Sequence, residues 1–345
     1  MGDASSPLPQ ADSSLYVLPV RILTHNIRFA TDTPEQHELL WDDRFPYLSS
    51  HFKFHTRPFF SPQATLVCMQ EVLHTQLQDL HRRTFNTSTL PTASPNPQSD
   101  DDDWTYVGVG RDDGKTKGEY SPIFFRRSAW NCIHFETVWL NETGEVGKKG
   151  WDASSIRIMT CTVLESVLSP RPSSTASKNK IVLALNTHLD DQGEVSRREA
   201  AKLILQVASR LREKYAPEFT FLAGDLNSEP SGDAYKILNK SGSGFIDTRR
   251  LVPHDGNQQG KIYAYGNERT FTGFEGDRGA VGKDRIDFVH LGIPTGLTDE
   301  DDVSGSIMEQ TGQMVQSYAV LPSRFDDKVW MSDHRGVVVD LLVPL

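Results

Sequence analysis

Residues Phe219 to Pro230 read Phe-Thr-Phe-Leu-Ala-Gly-Asp-Leu-Asn-Ser-Glu-Pro, a short apolar run that breaks at Gly224 into an acid and an amide. Its aromatic and β-branched start is that of a buried strand. Asp225 and Asn227 lie two residues apart, so on an extended chain they share one side. A carboxylate at the mouth of a core is costly to desolvate unless it has a partner, a cation or a task. Alone, the segment reads equally as a solvated turn, because Gly, Asp, Asn and Ser are turn residues.

The same event recurs along the chain. Val20 to Thr24 runs into His25-Asn26, Leu66 to Met69 into Gln70-Glu71, and Ile181 to Leu185 into Asn186-Thr187-His188. Arg285-Ile286-Asp287-Phe288-Val289 carries an acid inside an apolar run, and Ser332-Asp333-His334-Arg335 precedes the run from Gly336 to Val343. Strands that each leave a polar residue at one end describe a concave site assembled from distant parts of the chain.

With 345 residues the chain is long enough for one large core. Its net charge of −10 excludes a generic nucleic-acid coat, which needs clustered Lys and Arg. It leaves room for an enzyme that works through bound cations. No run reaches the length of a membrane span. The start, Met1 to Ser14, lacks an apolar signal region, so a cytoplasmic or nuclear location is expected. Gly2 and Ser6 fit the loose N-myristoylation pattern, but a plain disordered arm over 1–16 is the expectation. Cys68, Cys132 and Cys161 form no CxxC pair and read as buried structural thiols. Asn86, Asn141 and Asn239 stand in glycosylation sequons, read here as chance matches.

In chain order, strands are expected over 18–26, 64–69, 104–109, 121–126, 135–140, 156–164, 180–189, from 219 to the break at Gly224, and over 269–272, 284–291, 318–321 and 337–345. Helices are expected over 33–50, starting near Pro34, and over 70–83, 197–215 and 233–238. Glu71 then stands at a strand-to-helix junction, where a helix N-terminus alone could stabilise its carboxylate. Segments near 86–103, 166–179 and 294–312 are Ser-, Pro- or Asp-rich and read as surface insertions. The four aspartates Asp100 to Asp103 lack the glycine of an EF-hand loop. The loop from Gly110 to Tyr120 mixes glycines with basic residues. It reads either as a phosphate cradle or as an exposed hairpin turn. With no internal repeat and no long linker, residues 17–345 read as a single domain. Many strands and few helices do not make a doubly wound sheet. They make two mixed sheets packed face to face with helices outside.

The strand ends together resemble the endonuclease/exonuclease/phosphatase superfamily, which includes deoxyribonuclease I, exonuclease III, neutral sphingomyelinases and inositol polyphosphate 5-phosphatases. The motifs carrying the resemblance are Thr24-His25-Asn26, Met69-Gln70-Glu71-Val72, Thr187-His188-Leu189, Gly224-Asp225-Leu226-Asn227, Arg285-Ile286-Asp287-Phe288 and Ser332-Asp333-His334-Arg335. They stand in the family's order. Gly118-Glu119-Tyr120-Ser121-Pro122 and Gly150-Trp151-Asp152 point to an uncharacterised branch. The resemblance implies a four-layer α/β sandwich and Mg²⁺- or Mn²⁺-dependent hydrolysis of phosphate esters.

Such chemistry needs a cation against the phosphate, a base for water and donors to the developing charge. Mg²⁺ prefers carboxylate, amide oxygen and water. Glu71, Asn26 and Asp333 are the expected metal ligands. Asp225 is the expected base, Asn227 fixes the phosphate or the metal, and His334 and His188 are donors. Asp287 holds the His334 ring and favours its charged form. Each has an ordinary alternative: a satisfied core histidine for His188, a surface pair with Arg285 or Lys283 for Asp287. Ser332, Asp333 and His334 cannot form a hydrolase triad among themselves, since neighbours on an extended segment point to opposite sides. Arg111, Tyr120, Arg157 and Lys283 are candidate substrate contacts.

Three functions compete at this stage. The leading one is a phosphodiesterase on nucleic acid, trimming from a 3′ end, and it leads by analogy alone. The second is hydrolysis of a small phosphorylated molecule or lipid headgroup, such as an inositol phosphate or sphingomyelin, which the acidic charge favours. The third is a binding scaffold with a dead site. No amphipathic membrane anchor and no protein partner is legible.

Overall fold

The computed structural model describes residues 17–57, 64–86, 103–168, 180–252, 263–274, 285–293, 311–312 and 314–344. In chain order they form β1 (Val17–Asn26), α1 (Trp41–Thr56), β2 (Ala64–Gln70), α2 (His74–Asp79), β3 (Trp104–Val107), β4 (Ile123–Arg126), β5 (Trp130–Trp139) and β6 (Ile158–Ser166). Then follow β7 (Ile181–His188), α3 (Glu194–Tyr215), β8 (Phe219–Asp225), α4 (Asp233–Asn239), β9 (Phe245–Asp247), β10 (Tyr265–Gly266), β11 (Asp287–Gly292), β12 (Val315–Val320) and β13 (Val337–Pro344). The expected arm, the run Asp100 to Asp102 and most of the three expected insertions lie outside the described residues.

Two mixed sheets result. One has the order β10-β12-β13-β1-β2-β4-β3 and the other β5-β6-β7-β8-β11-β9. Alternation along the strands decides what each face meets. On β1, Leu18, Val20 and Ile22 enter the core between the sheets, while Leu23 turns outward to α1. On β8, Phe219, Phe221 and Ala223 enter the same core and Leu222 turns to α3. The outer face of the first sheet is covered by Phe45, Leu48 and Phe52 of α1 and Leu77 of α2. The outer face of the second is covered by Ala201, Ile204, Ala208 and Leu211 of α3 and Leu238 of α4. The product is the expected four-layer α/β sandwich.

Several elements differ from the sequence reading. The first helix begins at Trp41, not near Pro34, and runs on to Thr56. Residues 34–40 are drawn out of helix by Arg28, which donates to Glu35 Oε1 at 3.0 Å and to Glu38 Oε1 at 3.1 Å. The segment 269–272 is no strand and makes a single bridge, Phe271 to His334. Cys68 and Cys161 are buried as expected, but Cys132 is exposed on β5, at the sheet edge. Gly150-Trp151-Asp152 acts locally: the Asp152 carboxylate accepts from Val195 N at 3.1 Å and Ser196 N at 2.6 Å, capping α3.

His290 on β11 is fully buried, with Nε2 2.9 Å from Asn239 Nδ2. Burial lowers its pKa from 6.5 to about 4. The unfolded chain takes up a proton below pH 6.5 and the folded chain does not. The contribution to stability is therefore complete above that pH and is lost as pH falls toward 4. Between pH 7 and 5 this one group costs about 2 kcal/mol. Urea unfolding at both pH values is expected to show that loss for the native chain and a correspondingly smaller one for His290→Gln.

Candidate active site

The alternation that builds the inter-sheet core also builds the site. Leu18, Val20 and Ile22 are followed on the same side by Thr24 and Asn26. Phe219, Phe221 and Ala223 are followed by Asp225, and Val182 and Ala184 by Asn186 and His188. Asp287 shares its side of β11 with Val289 and Leu291. At one end of the sandwich the apolar core thus gives way to polar side chains. Register aligns them: Asn26 lies opposite Gln70, His188 opposite Asp225, and Asp225 opposite Asp287. Gln70 forms the floor. Its Nε2 donates to Thr24 Oγ1 at 3.0 Å and, across the sheets, to Asn186 Oδ1 at 2.7 Å.

Asp225 is the centre. Its Oδ2 accepts from Asn26 Nδ2 at 3.0 Å, and lies 3.5 Å from His188 Nε2 and 3.7 Å from His334 Nε2. Its Oδ1 accepts from the backbone N of Asn227 at 2.8 Å. Burial, and next the charge of Asp287, push its carboxyl up to about 7. His334 Nδ1 lies 2.9 Å from Asp287 Oδ2. Burial by itself would lower the His334 pKa, but Asp287 and Asp225 outweigh it and hold the ring charged, at about 10. The surface pair of Asp287 with Arg285 does not form, and Lys283, the other partner considered, lies outside the described residues. Asp287 is fully buried, and Arg285 pairs instead with Asp247 Oδ2 at 2.7 Å. The backbone N–H groups of Ile286 and Asp287 both donate to Thr270 Oγ1 at 3.0 Å, which fixes the strand end. Asp225, Asp287 and His334 each bring one polar atom within 4.8 Å of the others, but a His334 ring held charged has no lone pair for a metal, so this group positions protons beside the carboxylates that could hold an ion.

The expected ligands Glu71, Asn26 and Asp333 adjoin this centre. Asn26 Nδ2 donates to Glu71 Oε1 at 2.9 Å as well as to Asp225, so one amide joins two carboxylates. Glu71 Oε2 accepts from Phe29 N at 3.1 Å. The helix α2 begins three residues further on, so its N-terminus is not what holds this carboxylate. Burial, with the charge of Glu71 adding, raises the Asp333 carboxyl. Ser332 Oγ donates to Asn26 O at 2.7 Å and ties the Asp333–His334 segment to the end of β1. Glu71 at φ +62, Asn227 at +45 and Arg28 at +60 occupy the left-handed region, a conformation non-glycine residues adopt at a cost of about 1 kcal/mol or more. Three of the seven such positions among the described residues thus lie at the site.

The candidate substrate contacts fare differently. Arg157 is buried, its Nε on Asp190 Oδ2 at 3.2 Å and its Nη2 on Asp191 Oδ1 at 2.8 Å, where it locks the turn after β7. Tyr120 is buried, its hydroxyl donating to Lys115 O at 2.8 Å and 3.0 Å from His74 Nδ1. Lys283 lies outside the described residues. The loop after Gly110 is not a phosphate cradle: Gly110 N, Arg111 N and Asp112 N donate to Lys115 O, Glu119 O and Lys117 O, so its donors serve the loop itself. Arg111 does face the site, through Glu119.

Glu119 is the residue the sequence reading missed. Arg111 Nη1 donates to its Oε2 at 2.7 Å, and that oxygen lies 3.9 Å from His188 Nδ1. Burial, and next the charge of Glu71, push its carboxyl up to about 7. His188 therefore stands between two carboxylates, Glu119 and Asp225, with the Asn227 amide 3.0 Å from its Nε2. The signal was the isolated acid in Gly118-Glu119-Tyr120, which a turn reading absorbs.

No protein-family model matches the sequence, and no curated protein does. Solved structures do. An endonuclease/exonuclease/phosphatase from Bacteroides vulgatus is 28% identical, with a TM-score of 0.67 over 94% of this chain and 98% of that one. A mannosyl-6-phosphatase from Bacteroides thetaiotaomicron is 23% identical, with a TM-score of 0.67 over 93% of this chain and 99% of that one. TDP2 of D. rerio, complexed with a single-strand DNA product, is 16% identical, with a TM-score of 0.57 over 94% and 98%. With two mixed sheets in this order and an acid–histidine centre at the strand ends, the chain has the fold of the endonuclease/exonuclease/phosphatase proteins.

Proposed function

We propose that the protein is a divalent-metal-dependent phosphoesterase acting on a small phosphorylated molecule. The observation that carries the reading is the convergence of Asp225, Asp287 and His334 with Asn26, Glu71 and His188 at one end of the inter-sheet core.

The donor set fits a hard cation. Glu71, Asp225, Asp287 and Asp333 offer carboxylate oxygens; the charge of Asp287 raises the Asp225 carboxyl and that of Glu71 the Asp333 carboxyl, and among the described residues the buried Asp287 Oδ1 has no hydrogen-bond partner. Glu71, Asp333 and the Asn26 amide would hold the ion. When bound, it would polarise the phosphoryl group and balance charge on its oxygens.

The chain's own residues supply the rest. Asp225, with its carboxyl near neutrality, takes a proton from the attacking water. The P–O ester bond breaks as the new P–O bond forms. His334, held charged and oriented through Nδ1 by Asp287, donates from Nε2 to a non-bridging phosphoryl oxygen. His188 returns a proton to the leaving oxygen, and Asn227 and Glu119 fix its ring.

The choice of a small substrate over a strand rests on charge. Arg28, Arg111 and Arg157 near the site are each committed to acids of the same chain, and the molecule is strongly acidic. Long polyanions need a track of available cations. The test offers p-nitrophenyl phosphate and mannose 6-phosphate beside labelled single-stranded RNA and DNA, with Mg²⁺ or Mn²⁺. A kcat/KM about a hundredfold higher for the small esters than for the strands is expected. The reverse preference would assign the site to nucleic acid. No cleavage of any ester would leave a binding scaffold.

A further inference from the structure

The segment 321–336 between β12 and β13 carries Asp333 and His334 on its return limb. On its outgoing limb it walls a cavity of about 550 Å³, lined by Arg324, Phe325, Asp326, Lys328, Trp330 and Arg335 among others. Three of these six are cations and one is an acid, in a chain of net charge −10. Arginines closer to the centre are neutralised by their own chain, as Arg111 is by Glu119 and Arg157 by Asp190. Among the described residues, Arg324 and Lys328 make no ion pair, although Asp326 lies between them. The Arg324 guanidinium sits 5.0 Å over the ring of buried Trp330, which fixes it at the wall.

The loop is built to hold this arrangement. Met331 N donates to Ser323 O at 2.9 Å and closes it. Lys328 is held at φ +62 by its N–H to Phe325 O at 3.0 Å and by Val329 N on Asp327 Oδ1 at 3.0 Å. The cavity and the catalytic centre share one segment of chain, because Arg335, which lines the cavity, follows His334 directly. The cavity on the other flank, about 410 Å³, is lined by Glu194, Glu229 and Asp233 with Arg197 and would repel an anion.

We propose that the cationic cavity binds a second phosphate group of the substrate whose first phosphate ester is cut at Asp225 and His334. The proposal rests on the phosphoesterase reading above and extends it to a bisphosphorylated substrate. Arg324 offers a planar fork and Lys328 a point charge, the usual pair for a phosphate dianion. The volume suits a group of small-molecule size. The same chemistry could come from a small bisphosphate or from the neighbouring phosphate of a strand.

The experiment compares KM for 1,4-butanediol bisphosphate with KM for butyl phosphate, and KM for a dinucleotide with KM for a hexanucleotide. Native protein is set beside Arg324→Gln/Lys328→Gln. A bisphosphate KM about tenfold below the monophosphate KM, with the ratio falling toward one in the double variant, is expected. A length-dependent ratio among the nucleotides alone, erased in the variant, would assign the second phosphate to a strand. Equal KM values in the native protein, or a ratio the variant leaves intact, would overturn the proposal. Isothermal titration with the bisphosphate in EDTA reads binding without turnover. If no ester is hydrolysed, the phosphoesterase reading fails. The cavity proposal then stands or falls on whether the double substitution abolishes that heat.

Discussion

Replacing Asp225 by Asn is expected to slow phosphate-ester hydrolysis by about a thousandfold while leaving the protein folded. The carboxyl is buried at the meeting of four groups, with Asn26 on Oδ2, Asn227 N on Oδ1, and His188 and His334 within 3.7 Å. An amide of the same shape keeps the packing but cannot accept the proton of the attacking water. It also withdraws one of the three carboxylates that keep His334 charged. Steady-state kinetics should show the loss in kcat, with a smaller effect on KM. Because Asp225 is itself destabilised by burial and by Asp287, the variant should unfold at the same or a higher temperature. A variant within about threefold of the native rate would remove Asp225 from the chemistry.

The largest expected effect on stability lies one residue earlier. Gly224 has φ +139, and a Cβ placed there would stand 2.0 Å from Thr187 O on β7. Both facts follow from one local event. The chain must turn Asp225 into the inter-sheet space while β8 keeps its parallel pairing with β7, in which Thr187 faces Gly224. Gly224→Ala must either push β7 away or abandon the φ that aims the acid. Either route costs about 4 kcal/mol or more, since it combines positive-φ strain with a backbone overlap. Thermal unfolding should move down by about 5 °C, and activity should fall with it. An unchanged midpoint would mean that the β7–β8 register is softer than described.

The architecture and the centre of the site were legible because both depend on one periodicity. Asn26, His188, Asp225 and Asp287 each end an apolar run on the side already committed to the inter-sheet core. A period of two is thus enough to place them together once the strands pair. What escaped the sequence depends on partners remote in the chain. Whether Thr33 to Leu40 is helical is decided by Arg28, which captures Glu35 and Glu38. Arg157 and Tyr120 resemble substrate contacts until Asp190, Asp191, His74 and Lys115 take up their polar atoms. Glu119 escaped for the opposite reason. Its loop reads as a turn, and only the close packing of that loop, where a Cβ on Gly118 would lie 2.4 Å from the Asp112 carboxylate, delivers the acid to His188. The exposure of Cys132 follows from the edge position of β5, which no local pattern announces.

The measurement that bears most directly on the central claim is the initial rate of p-nitrophenyl phosphate hydrolysis in Mg²⁺, after EDTA, and after Mg²⁺ or Mn²⁺ is restored. It is made on native protein and on His334→Ala. The account predicts hydrolysis that disappears in EDTA and returns with the metal. The variant should be slowed by at least about a hundredfold at every metal concentration. Hydrolysis untouched by EDTA, or a variant as fast as the native chain, would contradict the assignment of these strand ends to a metal-dependent phosphoesterase centre.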